Sequence, residues 1–168
     1  MAFKMNWFLS INYFFHLLAT VILLGSLTGV VGLALPALSK GALSQNQWLD
    51  LQKKLIPWAN GALVVLLLSG FYQMTTDPNY GGFLILDGLW AWAMLLKHVA
   101  YAGMVGVTFY LQFSIYPAID RLQLLAAKKP EFAAEDQQQL HSREIQLLRV
   151  NVVCAVFVLL FTAVMTAV

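Results

Sequence analysis

WFLSINYFFHLLATVILLGSLTGVVGLAL, residues 7–35, is the stretch that decides the fold class, because it contains no Asp, Glu, Lys or Arg. A helix needs about 20 predominantly apolar residues to cross the hydrocarbon core of a bilayer. The stretch therefore predicts a membrane-spanning helix that ends at Pro36. It is also much longer than the apolar region of a signal peptide, which is about 7–15 residues, so we expect it to be retained.

Three further apolar segments follow this first one, at residues 57–74, 89–116 and 150–168. They lack the alternating apolar and polar residues of transmembrane β-strands. Helices are then the structure that can hydrogen-bond all backbone N–H and C=O groups within the lipid. The sequence predicts an all-α integral membrane protein, in which residues 1–168 form a single domain with the fold of a four-transmembrane-helix bundle.

The composition agrees with this fold class. The 168 residues are 60% hydrophobic and 11% charged, whereas soluble domains carry about 25% charged residues. The net charge of +2 is too small for binding to a phosphate backbone, so the expected partner is the lipid bilayer and not a nucleic acid. The single cysteine excludes an internal disulfide framework and a cysteine-based zinc site.

Basic residues in the connecting segments predict the orientation of the chain. Lys and Arg lie in the loops at 36–56 and 118–149, and none lies in the loop at 75–88. Cytoplasmic loops carry an excess of Lys and Arg, so we expect both termini on the outer side. In the cytoplasmic loops, Ser44 and Gln47 form a possible capping box, Pro57 is expected to kink or restart a helix, and Pro130 is expected to begin one.

Three ionisable residues lie inside the predicted spans at a common depth. His16 is nine residues into the first span, and Lys97 and His98 are eight and nine residues into the third. At 1.5 Å per residue, each lies roughly 12–14 Å below the outer end of its helix. Ionisable residues at such depth are costly and indicate a functional site.

Two imidazoles at one depth fit the axial positions of a b-type haem. We therefore predict His16 and His98 as metal ligands, with Lys97 beside a haem propionate. Small side chains one turn further along each helix would leave room for the macrocycle, and polar ones would orient the imidazoles. The cofactor-binding residues predicted on this basis, beside the two histidines and Lys97, are Ala19, Thr20, Tyr101 and Ala102, with Asn12 and Met94 as further hydrogen-bonding candidates.

Three alternatives remain open. The histidines could simply bond neighbouring helices. His16 could bind copper with methionines such as Met74 and Met165, because copper(I) accepts sulfur and imidazole ligands. The chain could also be a non-catalytic structural subunit of a membrane complex. Enzyme motifs such as Gly-x-Ser-x-Gly and His-Glu-x-x-His are absent, which favours an electron-transfer protein over a stand-alone enzyme.

Several short motifs resemble those of a known family. They are Phe15-His16-Leu17-Leu18-Ala19 followed by Gly25, Ser69-Gly70-Phe71-Tyr72, Leu96-Lys97, and Arg149 with Asn151 before an apolar run. This pattern is similar to that of the CopD-like (copper-resistance D-type) membrane proteins, which are related to the haem-binding proteins of the HemJ type.

The resemblance implies a four-helix core that handles copper or binds b haem, with a role for His16 and Lys97. The chain departs from the family at Leu23, where a tryptophan is common, and at Leu35-Pro36-Ala37, where HemJ-type proteins have an arginine. His98 is an additional candidate ligand and favours haem over copper. We expect a location in a bacterial inner membrane, with other membrane-complex subunits or an outer-side redox partner.

Overall fold

The regular structure of the chain is helical throughout its described part. A computed structural model describes residues 7–82, 85–126 and 130–168, and these contain no strand. The helices are α1 (Trp7–Thr28), α2 (Leu35–Ser39), α3 (Gln45–Thr76), α4 (Gly88–Tyr110), α5 (Tyr116–Ala126) and α6 (Pro130–Ala167). Short π-helical segments, Gly29–Ala34 and Leu111–Ile115, join α1 to α2 and α4 to α5.

Four continuous helical segments are long and apolar enough to cross a membrane: Trp7–Ser39, Gln45–Thr76, Gly88–Leu125 and Asp136–Ala167. Large apolar side chains along them are exposed, including Phe14, Leu68 and Val156. Such surfaces are abnormal in soluble proteins and suit contact with lipid. The predicted all-α fold class with four transmembrane helices is confirmed. The orientation of the termini stays a prediction.

Prolines do not end these helices where the sequence predicted an end. Ahead of Pro36, the Leu35 N–H donates to the Val30 carbonyl, and ahead of Pro117, the Tyr116 N–H donates to the Leu111 carbonyl. Both bonds reach five residues back. A proline ring clashes with the carbonyl four residues earlier, and a wider π turn relieves that clash while the helix continues.

The cytoplasmic loops predicted from sequence are partly helical, as expected. Ser44 caps α3: the Gln47 N–H donates to Ser44 Oγ at 3.3 Å, and the Ser44 N–H donates to Gln47 Oε1 at 2.9 Å. This confirms the capping box. Pro57 neither ends nor restarts the helix, because α3 is continuous through it. The helix α6 is described from Pro130 onward, and whether the proline begins it stays a prediction, because residues 127–129 lie outside the described residues.

The contacts group the chain into two compact units, Met1–Ala91 and Trp92–Val168. In the first, α1 packs along α3. The buried positions Ala19, Leu23 and Leu27 of α1, and Val30 of the π-helical segment after it, are three or four residues apart, which is the spacing of one helix face. That stripe includes His16 one turn before Ala19, so the helix–helix contact brings the imidazole to α3.

In the second unit, α5 packs along α6. Glu144, Leu148, Asn151 and Ala155 of α6 are all buried and again share one face. Asn151 Nδ2 donates to Thr108 Oγ1 at 3.1 Å, which fixes the level at which α4 and α6 meet.

Candidate functional site

His16 is oriented by a serine of the neighbouring helix. Its Nδ1 lies 2.7 Å from Ser69 Oγ, and Ser69 Oγ donates its own hydrogen to the Val65 carbonyl of α3. A hydroxyl has a single hydrogen, so Ser69 accepts from His16 and the Nδ1 of His16 carries the proton. Nε2 then carries the lone pair, which is the form in which an imidazole binds a metal ion.

Other residues position this pair without touching the imidazole nitrogens. Asn12 Nδ2 donates to the Ser69 carbonyl at 3.2 Å, and Thr20 Oγ1 donates to the His16 carbonyl at 2.8 Å. Gly70 lies against the ring, because a β-carbon there would be 3.7 Å from His16 Cε1. The expectation that Thr20 or Asn12 bonds the ring of His16 is therefore wrong at Nδ1, where Ser69 takes that role.

His98 is oriented by its own helix. Its Nδ1 lies 2.7 Å from the carbonyl oxygen of Met94, one turn earlier in α4. A carbonyl oxygen only accepts, so Nδ1 is again the protonated nitrogen and Nε2 carries the lone pair. The predicted contact with Met94 is present, through the backbone rather than the thioether.

The other predicted site residues are placed as follows. Ala19 is buried, and Thr20 is half-buried beside it. Lys97 and Tyr101 are half-buried, and Ala102 is exposed. Within the described residues of its unit, Lys97 makes no hydrogen bond or ion pair. An ammonium group in a membrane helix without an acidic neighbour is costly, so Lys97 is suited to an anionic group that the chain itself does not provide.

The structure brings His16 together with Ser69, Asn12 and Gly70, and His98 together with Met94. His16 belongs to the first unit and His98 to the second, and their predicted arrangement on either side of one haem stays a prediction. Among the described residues, no three His, Cys, Asp or Glu side chains come together as a metal site. A haem with two imidazole ligands does not require such a group.

Sequence reasoning missed several residues. Ser69 and Gly70 were noted only as part of a motif, yet both contact His16; a serine–glycine pair inside an apolar span was the available signal. Glu144, in the polar part of α6, is fully buried, and His141 Nδ1 lies 3.1 Å from its Oε2. His141 therefore supports a buried carboxylate. The heptad spacing of Glu144, Leu148 and Asn151 was the overlooked signal.

These features define an all-α membrane protein with one histidine, protonated on Nδ1, in the first membrane helix of each unit. No protein-family model, no curated protein and no solved structure matches the chain. The resemblance to CopD-like proteins therefore stays a hypothesis.

Proposed function

We propose that the protein binds one b-type haem through His16 and His98 and acts as a membrane electron-transfer protein. The observation that carries this proposal is the hydrogen bond that the Nδ1 atom of each histidine makes to a fixed oxygen. The Nδ1–H of His16 donates to Ser69 Oγ, and the Nδ1–H of His98 donates to the Met94 carbonyl. In both residues, Nε2 is then the nitrogen that would bind the iron. Hydrogen bonding of the far nitrogen in this way is the usual support of a metal-ligating histidine.

The position of each histidine along its helix also supports the proposal. The separation from His16 to Gly29, where the first π-helical segment begins, equals the separation from His98 to Leu111, where the second begins. The two side chains therefore occupy equivalent places in two similarly built helices. On α4, the small and exposed Ala102 and Gly106 follow His98 by one and two turns.

A haem held there would supply one-electron redox chemistry. The protein residues bind and tune it: Ser69 raises the basicity of the His16 imidazole by accepting its Nδ1 proton in a hydrogen bond, and Met94 does the same for His98. Lys97 offers an ammonium group to a propionate carboxylate. Because His16 and His98 would both hold the haem, these residues favour electron exchange with a partner protein, on the predicted outer side, over substrate chemistry.

The test is a reduced-minus-oxidised absorption spectrum of the full chain, purified in detergent from haem-replete cells, with haem quantified per chain. We expect a sharp b-type α band and one haem per chain. His16→Ala and His98→Ala should each abolish the spectrum of the six-coordinate haem. His141→Ala is the matched control for loss of a histidine: it should destabilise the second unit, but its folded protein should keep the spectrum, because His141 bonds Glu144 in a different part of the chain.

Two outcomes contradict the proposal: a featureless spectrum from haem-replete cells, or a six-coordinate spectrum that survives both ligand substitutions. Copper bound in the absence of haem would favour copper resistance or uptake. Neither cofactor, together with stable co-purification of membrane partners, would favour a structural subunit.

A further inference from the structure

An open cleft of about 570 Å³ lies on the second unit, between α5 and α6. Its lining combines apolar and charged side chains. Phe113, Pro117 and Leu122 contribute apolar groups, and Arg121, Asp136 and Gln139 contribute polar ones.

Two opposite charges in the lining do not pair with each other. Arg121 and Asp136 both line the cleft and are exposed. In the described part of the chain, neither forms an ion pair or a hydrogen bond. The cleft therefore presents a separate cation and a separate anion to whatever enters it, and the net charge of these two groups is zero.

The cleft lies across the predicted edge of the membrane. Arg121 follows Tyr116, the last residue of the third apolar segment, by five residues, or about 7.5 Å of helix. The polar layer on each side of the hydrocarbon core is roughly 5–8 Å thick. Arg121 is thus at the depth of lipid headgroups, and Phe113, which is 73% exposed, is on the hydrocarbon side.

The two charges are at different heights above the membrane. The Asn151–Thr108 hydrogen bond marks a common level of the antiparallel helices. Arg121 is 13 residues from Thr108 along the α4–α5 segment, and Asp136 is 15 residues from Asn151 along α6. Asp136 is thus two residues further from the common level than Arg121. Asp136 is therefore the outer of the two charges.

We propose that this cleft is a binding site for a zwitterionic phospholipid that carries a primary ammonium group, such as phosphatidylethanolamine. The phosphate of such a lipid is attached to the glycerol and lies deeper than the ammonium, which is the order of Arg121 and Asp136. The Arg121 guanidinium binds the phosphate, the Asp136 carboxylate binds the ammonium through charge-assisted hydrogen bonds, and an acyl chain follows Phe113 and Pro117 into the membrane.

The two partners together define the specificity. An anionic glycerol headgroup would engage Arg121 but leave the Asp136 carboxylate beside a phosphate with no cation. A choline headgroup carries the same charges as ethanolamine, but its quaternary nitrogen has no N–H to donate to Asp136. The geometry therefore favours ethanolamine over both.

The experiment is native mass spectrometry of the full chain, released from detergent after incubation with phosphatidylethanolamine, phosphatidylcholine and phosphatidylglycerol of identical acyl chains. The wild-type protein should retain the ethanolamine lipid about tenfold better than either of the others, the factor expected for one hydrogen bond to a charged group. Equal retention of the three lipids, or a preference for the glycerol lipid, would overturn the proposal without any variant.

Variants then assign the two charges. Arg121→Gln should weaken retention of the ethanolamine and glycerol lipids by about tenfold each. Asp136→Asn should remove the preference for the ethanolamine lipid over both the choline and the glycerol lipid. Arg143→Gln, an exposed arginine of α6 that does not line the cleft, and Asp50→Asn, in the first unit, are the matched controls and should behave as wild type. Equal losses in variants and controls would contradict a defined site. The result does not depend on haem binding, so it separates this site from the proposed function.

Discussion

The two units have similar helices, but the hydrogen-bond acceptor of the histidine comes from a different place in each. Each contains a membrane helix with a histidine, a π-helical segment at the same distance beyond it, a proline just after that segment and a long returning helix. In the first unit, the histidine is held by Ser69 of the returning helix. In the second, His98 is held by the backbone of its own helix. The returning helix α6 instead carries the buried polar residues Glu144 and Asn151.

This difference predicts which substitutions should alter the orientation of each histidine. The orientation of His16 depends on how α1 and α3 pack, because its hydrogen-bond acceptor is a side chain of α3. The hydrogen bond of His98 Nδ1 goes to the helical backbone of α4 and not to a side chain of another helix. Polar groups of the second unit contribute to its stability instead, because a buried carboxylate needs its partners.

The largest effect is expected from removing a partner of that carboxylate. His141→Ala removes the imidazole that lies 3.1 Å from the buried Glu144 carboxylate, and the free energy of unfolding should fall by about 3 kcal/mol, the upper value for a hydrogen bond to a charged group. Equilibrium unfolding of the purified chain, with hydrogen exchange to locate the effect, measures it. The change should be confined to the second unit, because the buried polar side chains described in the first, Gln52 and Ser69, are uncharged.

Two variants control this prediction. Ser142→Ala, at an exposed neighbour that bonds only its own helix carbonyl, should stay within about 0.5 kcal/mol of wild type. Adding Glu144→Gln to His141→Ala should recover part of the loss, since a neutral amide is less costly to bury than a charge. An unchanged stability of His141→Ala would show that the buried pair contributes nothing.

A smaller effect is expected where α3 touches His16. Gly70→Leu introduces a branched side chain beside the imidazole, and its β-carbon alone would already lie 3.7 Å from His16 Cε1. Overpacking of this kind costs about 2 kcal/mol, and the imidazole should turn away from Ser69. Nitrogen NMR shifts of the histidines report that movement. His16 should change and His98 should not.

Gly70→Ala should be tolerated, because 3.7 Å is an ordinary contact distance. Gly61→Leu is the control on the same helix, because a β-carbon there meets nothing within 4 Å. If Gly61→Leu disturbed His16 as strongly as Gly70→Leu, the effect would belong to the helix as a whole and not to the contact.

Much of this architecture is predictable from the sequence because membrane helices are specified by apolar length, and the capping box by a local pattern. Continuity through Pro36 and Pro57 is not, since it depends on whether the backbone can rearrange around each ring. Ser69 and Glu144 escaped prediction for a related reason. Their roles depend on which face of one helix packs against another. The rotation of each helix about its own axis decides this, and it does not follow from the composition of either segment.

A loss of about 1 kcal/mol is expected from Ser69→Ala, which removes the hydrogen-bond acceptor of His16. The imidazole should then lose its single Nδ1-protonated form, visible as a change in its nitrogen NMR shifts, and Ser69→Thr should restore it by keeping the hydroxyl. The matched change in the second unit, Met94→Leu, should leave His98 unaffected because the acceptor there is a backbone carbonyl. A fixed Nδ1-protonated His16 in Ser69→Ala would contradict the assignment of Ser69.

The smallest effects are expected at the prolines that follow the π-helical segments. The first segment, Gly29–Ala34, contains two glycines, whereas the second, Leu111–Ile115, contains none. Glycine weakens the preference for a regular α-helix, so the first segment has two reasons to widen and the second has only Pro117. Pro117→Ala should therefore close its segment to an α-helix, while Pro36→Ala should leave the wide turn at its glycines.

Both proline variants should stay within about 1 kcal/mol of wild-type stability, since the prolines are already accommodated without loss of the helix. In Pro117→Ala, the new Ala N–H should donate to the Phe113 carbonyl, whereas the Gly32 carbonyl in Pro36→Ala should gain no such bond. Isotope-edited infrared spectra of these two carbonyls give the readout, because a hydrogen bond lowers the stretching frequency. A shift at Phe113 only is the expected result, and an equal shift at both positions would mean that proline alone produces the two segments.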